Sequence, residues 1–135
     1  MEETTSSYVF AIIRCLDYGP IWNHWGVWME LNGKVAIVTG AGRGIGRAIS
    51  KVLAREGAAV TLAARSMDQL DDTRSEIEGE GGRCLVVHTD VTSEDSVNQM
   101  VLETMNKFGS IDILVNNSGI AGPTALCEET TVEDW

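Results

Sequence analysis

Along the chain, short continuous apolar runs alternate with longer stretches in which apolar residues recur three and four apart. Val35 to Val38, Ala59 to Ala64, Arg83 to Thr89 and Ile111 to Asn116 are the short runs, rich in valine and isoleucine. Such runs predict strands buried on both faces, the signature of a parallel sheet. Between them, Ile45 to Arg55 is amphipathic with a helical period, and a charged helix is predicted from Ser66 to about Glu78. A third helix carries Val97, Met100, Val101, Met105 and Phe108 at helical spacing. The ends are marked as well. Ser66 with Gln69 reads as a capping box, Thr92-Ser-Glu-Asp as a second cap, and Thr130-Thr-Val-Glu as a third; Gly57 and Gly109 read as helix stops. Strand and helix alternate four times, which predicts an α/β fold: a Rossmann-like doubly wound parallel sheet with helices on both faces.

The junction of the first strand and first helix is glycine-dense: Lys34-Val-Ala-Ile-Val-Thr-Gly-Ala-Gly-Arg-Gly-Ile-Gly46. Glycines let the backbone turn tightly and lie close to a ligand, and the helix that follows offers unpaired N–H groups and the positive end of its dipole to a pyrophosphate. The common dinucleotide spacing, Gly-x-Gly-x-x-Gly, does not fit. From Gly42 its last glycine falls on Arg47, and from Gly40 on Ile45. The spacing that fits is Thr-Gly-x-x-x-Gly-x-Gly at Thr39, Gly40, Gly44 and Gly46.

That spacing resembles the nucleotide-binding turn of the short-chain dehydrogenase/reductase family. Three further features agree in order. Asp90-Val91, after the third strand, is similar to the family's adenine-contacting pair. Ile111-Asp-Ile-Leu-Val leads into Asn116-Asn117-Ser118-Gly119, which resembles the Asn-Asn-Ala-Gly motif that steadies the central sheet and lines the cofactor groove, with Ser118 in place of alanine. The resemblance covers about Leu31 to Trp135, roughly the first half of a family member, so the sheet is expected to be truncated after about four βα units. In the family the sheet continues through further strands; without them an apolar edge stays open, which implies a marginal or self-associating polypeptide. The resemblance implies a nicotinamide dinucleotide held by Thr39, Gly40, Arg43, Gly44, Ile45, Gly46, Asp90, Val91, Asn116, Asn117, Ser118 and Gly119. Each has a plainer alternative: Thr39 as a buttress of the turn, Asp90 as a cap after its strand, the asparagines as turn residues.

The cofactor preference follows from the second strand. Family members that use NAD place a carboxylate at its end for the ribose 2′-hydroxyl. Here that position is Ala64, followed by Arg65. A guanidinium pairs with a 2′-phosphate, and Arg43 in the turn can approach the same group, so NADP(H) is expected over NAD(H).

Composition narrows the partners. A net charge of −10 argues against nucleic acid, and no run approaches the roughly 20 apolar residues of a membrane span. Basic residues gather between 34 and 65; Arg47, Lys51 and Arg55 read as a solvated helix face. Cys15, Cys84 and Cys127 lack the spacing of a metal site or a disulfide framework and suit a reducing cytoplasmic setting, Cys84 as a small core residue. Residues 1–28, with tryptophans at 22, 25 and 28, are expected to be an extension outside the fold, and 29–135 the dinucleotide-binding domain, incomplete at its C-terminus. Removing the extension is expected to leave the thermal midpoint of the remainder nearly unchanged.

For activity, the family transfers hydride between the cofactor and a carbonyl or alcohol through a Tyr-x-x-x-Lys pair with a serine and an asparagine. Tyr8 and Tyr18 are the chain's two tyrosines, both precede the glycine turn, and neither has a lysine four residues on. No catalytic residue is therefore assigned. Two functions stay open: the cofactor half of an oxidoreductase acting on a small-molecule carbonyl or alcohol, a homo-oligomer in full-length form, or a catalytically inactive nucleotide-binding or interaction protein.

Overall fold

The computed structural model describes residues 30–119. The expected extension with its tryptophans, Cys15, Cys127 and the cap at Thr130 lie outside these residues. Within them the chain alternates as expected: β1 (Val35–Thr39), α1 (Gly44–Arg55), β2 (Ala59–Ala64), α2 (Met67–Gly79), β3 (Arg83–His88), α3 (Glu94–Phe108) and β4 (Ile113–Val115). The four strands form one parallel sheet in the order β3-β2-β1-β4. β4 is shorter than its apolar run, and just before it Asp112 ties the chain to the start of β1. Its carboxylate accepts the Val35 N–H at 2.9 Å, its own N–H donates to the Val35 carbonyl at 2.8 Å, and Lys34 pairs with it at 3.5 Å.

Side-chain alternation splits the core in two. Ala36, Val38, Val60, Leu62, Ile113 and Val115 point to one face and pack with Ala54, Leu70 and Ile77 of α1 and α2. Ile37, Ala63 and Val87 point to the other and pack with Met100 of α3. The first two crossovers thus cover one face and the third covers the opposite one, the doubly wound arrangement.

Two helices bury a different stripe from the one their large apolar residues suggest. α1 buries Gly46, Ser50 and Ala54, all small, which brings its backbone close to the sheet, while Ile45 and Val52 stay more than half exposed. The Ser50 hydroxyl is satisfied by the Gly46 carbonyl at 2.8 Å. α3 buries Met100 and Thr104 with Val97 alongside, and leaves Val101 and Met105 exposed. Thr104 is tolerated there because its hydroxyl reaches the Met100 carbonyl at 2.8 Å and the Thr61 hydroxyl at 3.0 Å.

The helix ends correct two expectations. Ser66 is the N-cap of α2 but its side chain makes no capping bond, so the box with Gln69 does not form. Gln69 instead packs against Gly42 of the glycine turn. The cap of α3 is Ser93, whose hydroxyl accepts the Ser96 N–H, and not Thr92, which turns back to Asp90. Gly57 and Gly109 do end their helices with positive φ of 96° and 84°. Arg47, Lys51 and Arg55 are not a merely solvated face: they form ion pairs with Glu76 and Glu80 across the α1–α2 seam. Cys84 is half-buried, and burial pushes its thiol up to about 11, as suits an inert packing residue. Among the described residues no helix is long and apolar enough to cross a membrane, and no cluster of metal-ligating side chains occurs.

Candidate functional site

Because all four strands run the same way, everything that follows a strand emerges on one edge of the sheet. Parallel register places Thr39 beside Ala63, Ala64 beside His88 and Val38 beside Val115. The glycine turn, Arg65, Asp90-Val91 and Asn116 to Gly119 therefore come together along the carboxyl edge, although up to 79 residues separate them in sequence (Thr39 to Ser118). β1 lies between β2, reached by crossovers on one face, and β4, reached on the other. This is the switch point where open α/β sheets bind ligands.

Thr39 is the hub of this edge. It is 4% exposed, and its hydroxyl donates to the Val115 carbonyl at 3.3 Å while accepting the Asn117 and Ser118 N–H groups, each at 3.0 Å. One donor and two acceptor positions are all a hydroxyl has. Thr39 thus joins the ends of β1 and β4 as a buttress and keeps no hydrogen-bonding capacity for a ligand. Asn117 braces the same joint through its side-chain nitrogen, which donates to the Thr39 carbonyl at 3.0 Å and approaches that of Gly40 at 3.4 Å. Asn116, by contrast, is exposed beside it, as are Ser118 and Gly119.

The glycines divide in the same way. A Cβ on Gly46 would lie 2.2 Å from the Gly40 carbonyl oxygen and 2.5 Å from the Asn117 amide nitrogen; a Cβ on Gly40 would meet that nitrogen at 2.9 Å. Both positions need glycine for packing within the protein, not for close approach of a ligand. Gly44 differs. Its φ is +54° and no atom lies within 4 Å of where a Cβ would stand, so open space borders the first residue of α1.

At that point the helix is uncapped. The N-cap is Arg43, extended at φ −154°, no side chain caps the first turn, and that turn contains no acid. The first four N–H groups of a helix have no partner within it, and with the helix dipole they attract an anion. Ile45 is 56% exposed on the same turn, and Arg43 and Arg65 are both exposed, Arg65 directly after β2. An uncapped helix start, an open glycine and basic side chains fit a dinucleotide pyrophosphate.

Asp90, after β3, has its carboxylate fixed by Thr92: Oδ1 accepts the Thr92 N–H at 3.0 Å and its hydroxyl at 2.7 Å. Those two bonds, with the fields of Arg65 and His88, hold its pKa below the usual aspartate range. The Asp90 N–H donates to the Ser96 hydroxyl at 3.0 Å. Asp90 therefore forms the turn cap that its position allowed and still presents an ionised carboxylate at the edge. Val91 beside it is 47% exposed.

A shallow groove of about 340 Å³ runs elsewhere, along α1 past Arg47, Lys51, Val52 and Glu76, and meets the turn at Gly44. Glu76 and Glu80 engage its cations, with Glu76 held down to about 2 by hydrogen bonds from Arg47 and Lys51. The convergent residues are on the sheet edge, not in this groove.

Sequence reading missed Thr73, Gln69 and Ser96, which hold the turn and Asp90 from behind. For Thr73 a signal existed: it falls between Leu70 and Ile77 on the buried stripe of α2, where an aliphatic residue is the default.

Comparison with known proteins agrees with this geometry. The model of the short chain dehydrogenase family matches residues 34–135. Gluconate 5-dehydrogenase of Gluconobacter oxydans is 44% identical over 106 residues, covering 78% of this chain and 41% of its own length. A dehydrogenase/reductase structure from Sinorhizobium meliloti is 46% identical with a TM-score of 0.69, covering 77% of this chain and 41% of that one. A metagenomic short-chain oxidoreductase in complex with NADP is 34% identical at a TM-score of 0.69, covering 78% and 48%. The chain spans about two fifths of the length of the curated relative, 41%. With the family model over most of its length and a switch-point edge built from the turn and the Asn motif, the chain belongs to the short-chain dehydrogenase family.

Proposed function

We propose that this chain is the cofactor half of an NADP(H)-dependent oxidoreductase that interconverts a small-molecule carbonyl and an alcohol. The observation that carries the reading is the start of α1: an uncapped helix with no acid in its first turn, opening at Gly44 on the carboxyl edge of the sheet. A bound dinucleotide supplies hydride from its nicotinamide ring. The chain's own residues would do the holding: the N–H groups of Gly44 to Gly46 would meet the pyrophosphate, Asp90 would accept from the adenine amino group, and Asn116 would line the groove. Thr39 and Asn117 keep that edge in shape from beneath. Arg65 follows β2 where a carboxylate would select NAD, and with Arg43 it favours a 2′-phosphate. The NADP complex among the matched structures supports this choice.

Titrating the chain with NADPH and NADH, and repeating with Arg65→Ala, tests the preference. NADPH is expected to bind at least about tenfold tighter, and the variant to lose most of that advantage, since a charge-assisted bond contributes about 1.5–3 kcal/mol. Tighter NADH binding, or no change in the variant, refutes it. A second reading, a nucleotide-binding or interaction protein without hydride transfer, rests on the two tyrosines, Tyr8 and Tyr18, neither followed by lysine at the fourth position. It expects dinucleotide binding but no NADPH-dependent carbonyl reduction by this polypeptide, and measurable turnover excludes it.

A further inference from the structure

Thr73 sits in the middle of α2 with 0% exposure, between Leu70 and Ile77 on the stripe that faces the sheet. A hydroxyl in such a place costs free energy unless it is bonded. Its Oγ1 lies 3.0 Å from the Gln69 carbonyl, 3.2 Å from that of Ala41 and 3.5 Å from that of Gly42. The hydroxyl has one hydrogen to give. Gln69 is one turn back in the helix, where its carbonyl already accepts a backbone N–H. Ala41 is in the opposite position: it is 0% exposed, and among the described residues no backbone N–H donates to its carbonyl. Leaving that buried oxygen without a donor is the costlier choice, so the proton goes to Ala41.

Resting on the dinucleotide reading above, we infer that the Thr73 hydroxyl is a positioning group that fixes the glycine turn in the shape that receives the pyrophosphate. In a trans peptide the C=O and N–H point in opposite directions. Drawing the Ala41 carbonyl toward α2 turns the N–H of Gly42, on the same peptide, away from it. Gln69 adds a second hold, since it packs so closely on Gly42 that a Cβ there would come within 2.8 Å of the Gln69 Cβ. α2 thus sets the shape of a turn that belongs to β1 and α1.

The test compares the full chain with Thr73→Val, Thr73→Ala and Thr73→Ser by amide hydrogen exchange without ligand and by NADPH titration. Val keeps the branched shape without the proton, Ala repeats the loss with a helix-favouring residue, and Ser restores the hydroxyl. Removing the hydroxyl is expected to speed exchange of residues 40–47 by roughly fivefold to tenfold, leave β2 unchanged and weaken NADPH binding by a similar factor; Ser is expected to restore both. Unchanged exchange in the turn, or a rise spread equally over β2, overturns the inference. Faster exchange with an unchanged NADPH constant overturns the positioning role. If the unsubstituted chain binds no dinucleotide, the proposed function and this inference's link to pyrophosphate both fail, while the exchange data still decide whether Thr73 holds the turn.

Discussion

Replacing Gly46 by alanine puts a methyl group where three parts of the fold meet. The new Cβ would stand 2.2 Å from the Gly40 carbonyl oxygen, 2.8 Å from its carbon and 2.5 Å from the Asn117 side-chain nitrogen. Ordinary carbon–oxygen contact is about 3.3 Å or more, so something must move by roughly 1 Å. The obstacle is backbone on one side and, on the other, an amide already bonded to the Thr39 carbonyl. Overpacking costs about 1–3 kcal/mol, and loosening the Asn117 bonds adds about 1 kcal/mol or more. Against this, alanine in place of glycine gains about 1 kcal/mol within a helix. The net expectation is a loss of about 1–3 kcal/mol, a fall of roughly 10 °C in the thermal midpoint for a domain of this size. Gly79, at the end of α2, is the control: no atom lies within 4 Å of its Cβ position, so Gly79→Ala is expected to hold or raise the midpoint. Thermal unfolding followed by far-ultraviolet circular dichroism measures both. A Gly46→Ala midpoint equal to or above that of the unsubstituted chain would refute the steric argument, as would an equal loss in both variants.

Thr39→Val strands two N–H groups and a carbonyl at the β1–β4 joint and is expected to cost about 1–3 kcal/mol in a urea titration, whereas Thr39→Ser, which keeps the hydroxyl, stays close to the unsubstituted chain; a Thr39→Val chain as stable as the unsubstituted one would refute the hydroxyl's role. Glu76 is ionised well below its ordinary range, to about 2, by Arg47 and Lys51. A depressed carboxylate stabilises the fold above its unfolded pKa of about 4.3 and loses that contribution as pH falls through the folded value, so the midpoint gap between the chain and Glu76→Gln is expected to close between pH 4.3 and about 2 and to narrow in high salt. A gap that widens on acidification contradicts this.

The four strands, the three helices between them and the doubly wound class were legible in the sequence, because buried parallel strands are continuous apolar runs and helices carry their own period and stops. So were the candidate site segments, since Thr39 to Gly46, Arg65, Asp90-Val91 and Asn116 to Gly119 each directly follow, or end, an apolar run. A parallel sheet brings such positions to one edge. Local pattern does not say what a side chain does once it is there. Only the tertiary structure assigned the Thr39 hydroxyl and the Asn117 amide to the joint between β1 and β4, because their partners are 76 to 79 residues away and a hydroxyl's capacity is counted only when all its neighbours are known. It also separated Gly44, beside open space, from Gly40 and Gly46, which are crowded by the protein itself. It turned Val101 and Met105 outward and Thr104 inward, since a helix buries the stripe its neighbours can satisfy and not always its greasiest one. The sequence by itself determined the elements, their order and the edge at which a ligand would be held. Three-dimensional packing decided which of those residues face that edge and which hold it in place, because hydrogen-bond satisfaction and steric contact are properties of neighbours in space.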